Sequence, residues 1–146
     1  MAKKPKVSVA PSAAKLPRIE GDPTSFHQHN PSWRFSKMEF CDPYGWHILN
    51  APMVTEIRGK LCNFESMTWA EILVTGKKRN HQIPVGQLVP AARKRLIEIG
   101  QGDLGQVVSL HLTGTQRVWG ILREGVLHLL WWDPNHGICP SILKNT

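Results

Sequence analysis

The chain has 146 residues, enough for one domain with a hydrophobic core of ordinary size. Its 18 Lys and Arg residues outnumber its 11 Asp and Glu residues, which gives a formal net charge of +7 at pH 7 and favours an anionic partner such as a nucleic acid. The apolar residues never run long enough to predict a transmembrane helix or a secretory signal.

The first thirty residues differ in composition from the rest. They scatter lysine and arginine among Pro, Ala and Ser without hydrophobic periodicity, so residues 1–30 are predicted to form a flexible basic arm before a single domain over residues 31–146. Cys41, Cys62 and Cys139 are odd in number and far apart, which favours buried thiols in a reducing cytoplasm over a zinc motif or a disulfide framework.

The elements begin with a predicted strand at Trp33–Phe40, which is rich in aromatic residues. Pro52 then opens a predicted helix whose apolar residues repeat at helical spacing through about Glu65.

Two further helices follow. Thr68 and Glu71 have the spacing of a capping box, so a short helix is predicted from Trp69 to Thr75, ending at Gly76. Another begins near Pro90, carries the apolar stripe of Ala92, Leu96 and Ile99, and ends at Gly100.

The segment from Val107 to Trp132 alternates apolar and polar residues across two turn signals and predicts a three-stranded antiparallel meander. A turn at Thr113-Gly114-Thr115 pairs Leu110 with Val118 and His111 with Arg117, and a turn at Glu124-Gly125 pairs Leu122 with Leu127. Extended in the same register, the second hairpin pairs Val118 with Trp131 and Arg117 with Trp132. We therefore expect an α+β fold in which the helices pack on one face of the sheet, with His111, Arg117 and Trp132 in a row on the open face. A helix is expected to approach closely at Gly120.

Two clusters of positive charge are candidates for contact with RNA phosphates. The first lies in the loop from Lys77 to Gln87, whose Ile83 and Val85 are spaced for one side of a short extended segment, and it contains Lys77, Lys78, Arg79 and His81. The second lies on the last helix and contains Arg93, Lys94 and Arg95.

The meander also carries groups suited to RNA cleavage. Attack by a ribose 2′-hydroxyl needs a proton acceptor, a proton donor and a cation beside the phosphate, and His111, His136 and Arg117 supply these types. Trp119 and Trp132 are expected to stack on unpaired bases. A weaker alternative is a metal held by His111, Asp133 and His136; the favoured prediction has no metal and no cofactor.

The run SLHLTGTQRVWGILREGVLHLLWWDPNH resembles the terminal strands of the RelE/HigB superfamily of small bacterial toxins, and KRLIEIG resembles the end of their second helix. The chain is also similar to uncharacterised phage and bacterial proteins with a Trp-Asp-Pro-x-His ending, for which no activity is implied.

The RelE/HigB resemblance implies metal-independent cleavage of RNA, often of message on the ribosome, and an antitoxin partner. It matches Arg117 to a phosphate-binding arginine, His136 to an acid or base after the last strand, and the cations of the last helix to RNA-positioning residues. The chain's only tyrosine is Tyr44, so it lacks the late tyrosine of some members, and the resemblance matches no residue to that tyrosine as general base.

Two other interpretations use the same residues. A non-catalytic nucleic-acid-binding or protein-binding module needs only the charge and the aromatic groups. An interaction protein would instead dock a partner on the Trp-rich edge of the sheet, since Trp and Arg dominate binding hot spots.

Overall fold

The structure, a computed structural model, describes residues 26–140. It is an α+β fold with one five-stranded mixed sheet in the order β1-β5-β4-β3-β2, in which only the β1-β5 pair is parallel. The strands are β1 (Ser32–Arg34), β2 (His81–Pro84), β3 (Gln106–His111), β4 (Arg117–Arg123) and β5 (Val126–Asp133). The helices are α1 (Ala51–Glu65) and α2 (Pro90–Glu98), with a π-helical turn at Glu71–Thr75 and 3₁₀ turns at Trp46–Ile48 and Val85–Gln87.

The predicted helices are confirmed, and their ends follow from local chemistry. The side chain of Asn50 accepts a hydrogen bond from the Met53 amide at the start of α1. The capping box forms as expected, with the Thr68 amide donating to Glu71 Oε1 at 2.8 Å and the Glu71 amide donating to Thr68 Oγ1 at 3.2 Å. The turn after it is wider than an α-helix, because the Gly76 amide donates to the carbonyl of Glu71, five residues earlier.

The three-stranded meander is confirmed as β3-β4-β5, but the sheet is larger than predicted. The expected extended segment forms β2 and pairs antiparallel with β3. The expected first strand is shorter than Trp33–Phe40, because only Ser32–Arg34 pairs with β5. Phe35 is 64% exposed and Phe40 is 61% exposed, so these aromatic side chains do not pack on the sheet.

Both hairpin turns form as the sequence indicates. Gly114 has a φ of 53°, and Glu124 and Gly125 have φ values of 54° and 85°, the left-handed pair that a tight two-residue hairpin requires. The pairs Leu110 with Val118, His111 with Arg117 and Leu122 with Leu127 are confirmed.

The second hairpin departs from the predicted register at a β-bulge. Trp119 pairs with Trp131 but Gly120 pairs with Leu129, so β5 contains Leu130 as an extra residue. Beyond the bulge, Val118 lies opposite Trp132 and Arg117 lies opposite Asp133. The predicted row of His111, Arg117 and Trp132 is therefore wrong, because the extra residue moves Trp132 to the opposite face.

Helices cover both faces of the sheet, which corrects the expectation of a single packed face. One core contains Ile57 of α1 together with Val118, Leu129 and Trp132. The other contains Ala92 and Leu96 of α2 with residues of the opposite sheet face, namely Trp119, Ile121, Leu130 and Trp131. The face expected to be open to RNA is thus filled with apolar side chains under α2.

Gly120 permits close approach by a strand rather than by a helix. A Cβ at this position would lie 2.7 Å from the carbonyl oxygen of His128 and 2.8 Å from Leu127 Cγ, both on β5. The glycine therefore lets β5 cross close to β4 beside the bulge.

Three other predictions concern the ends and the surface of the domain. Cys139 is buried as expected, but Cys41 and Cys62 are exposed, so the expectation of three buried thiols is wrong. Most of the predicted arm lies outside the described residues, although Phe26 is 8% exposed and contacts the indole of Trp69. Among residues 26–140, no helix has both the length and the apolar character needed to cross a membrane.

Candidate active site

One end of the sheet gathers the three predicted catalytic residues, together with His81. His81 begins β2, His111 ends β3, Arg117 begins β4, and His136 follows β5 in the loop after Asp133. The pairs His81 with Ser109, His111 with Arg117 and Arg117 with Asp133 put the side chains of His81, His111 and Arg117 on the face covered by α2, since paired residues share a face. His81, His111, Arg117 and His136 are called the histidine-arginine cluster below.

Arg117 is the centre of this cluster and is only 6% exposed, so the expectation that it lies on an open face of the sheet is wrong. Its Nη1 donates to the carbonyl of Gly114 at 2.8 Å and to the carbonyl of Gln116 at 3.0 Å. Burial lowers the pKa of Arg117, while the Asp133 carboxylate acts to raise it. The guanidinium is thus fixed by the backbone of the β3-β4 turn and partly balanced by a carboxylate.

The imidazole of His111 lies beside Arg117 and is half-buried. Its Nε2 is 3.2 Å from the carbonyl oxygen of Gly114. Because a carbonyl oxygen only accepts, Nε2 carries the proton of the neutral ring and Nδ1 keeps a lone pair. Burial lowers the pKa of His111, and the charge of Arg117 lowers it further. His111 is therefore a neutral proton acceptor at pH 7.

His136 approaches the cluster from the β5 side on a backbone that few residues adopt. Its φ is 55°, in the left-handed region, and its side chain is half-buried. Burial lowers the pKa of His136 and Arg117 lowers it further, while Asp133 acts to raise it. A strained backbone at a titratable residue is a frequent mark of a functional site.

Asp133 holds the loop that carries His136. Its Oδ1 accepts from the Gly137 amide at 2.9 Å, and its Oδ2 accepts from the Ile138 amide at 3.1 Å and from Trp119 Nε1 at 3.2 Å. These donors use the oxygens that a metal would need, and within residues 26–140 no group of three or more His, Cys, Asp or Glu side chains is arranged to hold a metal ion. The alternative metal set of His111, Asp133 and His136 therefore gains no support from the geometry.

His81 was predicted as a phosphate contact, and in the structure it belongs to the histidine-arginine cluster. Its Nε2 is buried and has no hydrogen-bond partner among the described atoms. Burial lowers the pKa of His81, and Arg117 and His136 lower it further, while the backbone of Lys78 acts to raise it. The signal available in the sequence was the position of His81 directly after the basic loop, but nothing local showed that β2 pairs with β3.

The tryptophans expected to stack on bases are core residues, which corrects that prediction. Trp119 is 0% exposed and Trp132 is 1% exposed, in the cores on opposite faces of the sheet. Their rings cannot reach an RNA base without unfolding of the core.

The predicted phosphate contacts divide into exposed and occupied side chains. Lys77, Lys78, Arg79, Arg93 and Lys94 are exposed. Arg95 is not available, because its Nε and Nη2 donate to the two oxygens of Glu39 at 2.8 Å each and its Nη1 donates to Glu98 at 3.1 Å. The loop cations lie next to the cluster, since His81 follows Arg79 and Asn80.

Lys60 and Asn63 were not predicted as site residues, although both line a cavity that His111 also lines. Both residues lie on α1 close to Phe64, which the sequence shows. Their position beside His111 could be predicted only once the sheet face that α1 packs against was known. Comparisons of the chain with protein families, with curated proteins and with solved structures found no match.

Proposed function

We propose that the protein binds RNA and cleaves it without a metal ion, by attack of a ribose 2′-hydroxyl on the adjacent phosphorus. The observation that carries the proposal is the presence of two half-buried imidazoles, His111 and His136, beside one fixed guanidinium, that of Arg117. This is the set of groups that the reaction needs.

In the proposed step, Nδ1 of His111 accepts the proton of the 2′-hydroxyl as its oxygen bonds to phosphorus. The bond between phosphorus and the 5′-oxygen breaks, and protonated His136 gives its proton to that oxygen. The products are a 2′,3′-cyclic phosphate and a free 5′-hydroxyl. Arg117 stabilises the negative charge that gathers on the phosphate oxygens in the transition state.

The lowered pKa values fit these roles. Arg117 disfavours protonation of His111, which keeps the base neutral, and makes His136 a stronger acid when it is protonated. The bound phosphate brings negative charge that restores part of the protonation of His136. We expect kcat/KM, which reports the free enzyme, to be highest below the ordinary histidine pKa of about 6.5.

The exposed cations of the loop and of α2 would hold the RNA through its phosphates, and Lys77, Lys78 and Arg79 would lie closest to the cluster. The resemblance to RelE/HigB toxins extends the proposal to message on the ribosome, to an antitoxin as a protein partner and to action in the cytoplasm. The burial of Trp119 and Trp132 removes base stacking on these rings from the mechanism.

The test is cleavage of end-labelled RNA by the purified protein in excess chelator, with and without translating ribosomes. Wild-type protein should release a fragment ending in a 2′,3′-cyclic phosphate, and RNA with a 2′-deoxy sugar at the cleaved position should resist. His111→Gln and His136→Gln should each lower the rate by about 10²-fold to 10⁴-fold. His128→Gln is the matched control, because His128 is another half-buried imidazole of lowered pKa but pairs with Ile121 at the far end of β4.

The same experiment separates the proposed enzyme from its alternatives. Tight RNA binding without cleavage, with or without ribosomes, would leave the non-catalytic binding module. Cleavage that stops in chelator and returns with a divalent ion would replace the metal-free mechanism.

A further inference from the structure

A cavity of about 220 Å³ opens beside the histidine-arginine cluster, between α1 and the loop before β2. Its polar lining comes from Lys60 and Asn63 of α1, Arg79 and Asn80 of the loop and His111 of β3, and its apolar lining includes Phe64 and Leu112. Within residues 26–140, no carboxylate lines it. The cavity therefore combines two full positive charges with two amides and an imidazole.

The two cations at this cavity are available to a ligand. Neither Lys60 nor Arg79 forms an ion pair within residues 26–140. Both charges act on His111 of the cluster. Burial and the charge of Arg117 lower the pKa of His111, and Arg79 and Lys60 lower it further. An anion in the cavity would relieve this repulsion between like charges.

The wall that carries His111 is fixed in place. The side chain of Asn80 accepts from the His111 amide at 2.9 Å and donates to the Ile72 carbonyl at 3.3 Å. This bridge ties the end of β3 to the π-helical turn before the basic loop. The cavity is thus a preformed recess whose rim is shared with the cluster, because His111 belongs to both.

We propose that this cavity is a second phosphate subsite, which binds the backbone phosphate next to the scissile one on the same RNA strand. The proposal rests on the proposed function, since it takes the scissile phosphate to lie at Arg117. One strand with consecutive phosphates then runs past His111, with one phosphate at the guanidinium and its neighbour between Lys60 and Arg79.

The test compares dinucleotides of randomised base composition that differ by one terminal phosphate. One form has only the internal phosphodiester, a second adds a 5′-phosphate and a third adds a 3′-phosphate. Wild-type protein should gain about tenfold or more in kcat/KM from the terminal phosphate at one of the two ends, as expected for a charge-assisted hydrogen bond. The end that gives the gain assigns the polarity of the strand.

Two variants test whether the increase in kcat/KM from the terminal phosphate depends on this cavity. Lys60→Ala should remove most of the gain. Arg58→Ala is the matched control, because Arg58 is an exposed cation of α1 that lines a different, apolar groove, and this variant should retain the gain.

Equilibrium binding of the same dinucleotides in the presence of chelator separates failure of the subsite from failure of the proposed function. One outcome is that wild-type protein cleaves no RNA but binds the terminally phosphorylated form more tightly, with the preference lost in Lys60→Ala and kept in Arg58→Ala. This result would support the phosphate subsite and refute the proposed cleavage activity. If neither terminal phosphate improves cleavage or binding, the subsite is refuted. Binding of inorganic phosphate without any gain from a terminal phosphate would also refute it, because the cavity would then hold free phosphate and not an RNA strand.

Discussion

The indole of Trp119 donates its Nε1 proton to Oδ2 of Asp133 at 3.2 Å, in the core beneath α2. The same oxygen accepts the Ile138 amide at 3.1 Å, so one buried carboxylate joins the middle strand of the sheet to the loop that presents His136. Trp119, which was predicted to stack on RNA, instead holds the carboxylate of Asp133, and this carboxylate holds the loop that carries His136, the candidate acid.

We expect Asp133→Ala to destabilise the protein by about 2–4 kcal/mol, because it leaves the buried Trp119 and Ile138 donors without an acceptor. Urea denaturation followed by fluorescence would measure the loss. Asp103→Ala removes an equal charge from an exposed site and should change stability by less than about 0.5 kcal/mol. Equal stability of the two variants would mean that Asp133 does not anchor the loop.

The left-handed backbone of His136 allows its chemical and conformational roles to be separated. Glycine adopts a φ of 55° without steric cost, whereas alanine does not. His136→Gly should therefore be more stable than His136→Ala by about 1 kcal/mol, while both lose the same cleavage activity. Thermal melts and cleavage assays on the pair would test this. Retained activity in either variant would remove His136 from the mechanism.

The exposed loop cations should set the salt dependence of RNA binding. Replacing Lys77, Lys78 and Arg79 by alanine should weaken binding and reduce the slope of log K against log salt by up to about 2, since each phosphate contact on a single strand contributes about 0.7. Fluorescence anisotropy with labelled RNA at several salt concentrations would measure both quantities. A control variant with alanine at Arg34, Lys37 and Arg58 loses the same charge away from the cluster, and an equal change in slope there would indicate only a general effect of net charge.

The half-buried imidazole of His81, whose Nε2 is buried, should make the fold sensitive to acid. Because its pKa is lowered in the folded state, the unfolded chain binds more protons between the folded pKa and about 6.5. The contribution of His81 to the free energy of unfolding should thus be constant above this window and fall as pH decreases through it. His81→Gln should therefore flatten the pH dependence of stability. Denaturation curves between about pH 5 and 8 would decide; an unaltered pH dependence in His81→Gln would contradict the prediction.

The local elements were predictable because neighbouring residues determine them. The capping box of Thr68 and Glu71, the left-handed Gly114 and the two-residue turn at Gly125 each depend on the conformations of a few adjacent residues. The pairing of His111 with Arg117 followed from such a turn and is confirmed.

The rest depended on contacts between residues far apart in sequence. The alternation of residue types could not predict the bulge at Leu130. Residues 131 and 132 are both tryptophan, so either of them could face a given core. The stripe of Ala92 and Leu96 showed that α2 must pack, but not against which face of the sheet. The alternation of residues therefore predicts an open face at Trp119 and Ile121, and it gives no sign that Asp133 anchors the loop.

Strand β5 has a consequence for the order in which the chain can fold during synthesis. It lies between β1 and β4, and it supplies Leu127, Leu129 and Trp132 to one core and Leu130 and Trp131 to the other. A growing chain that ends before residue 126 therefore has neither core complete. In such a chain β1 also has no strand to pair with, because β5 begins about ninety residues later in the sequence. Interrupted translation before β5 should release products that expose both sets of apolar side chains and are readily degraded, so activity would accompany only chains that have passed Asp133.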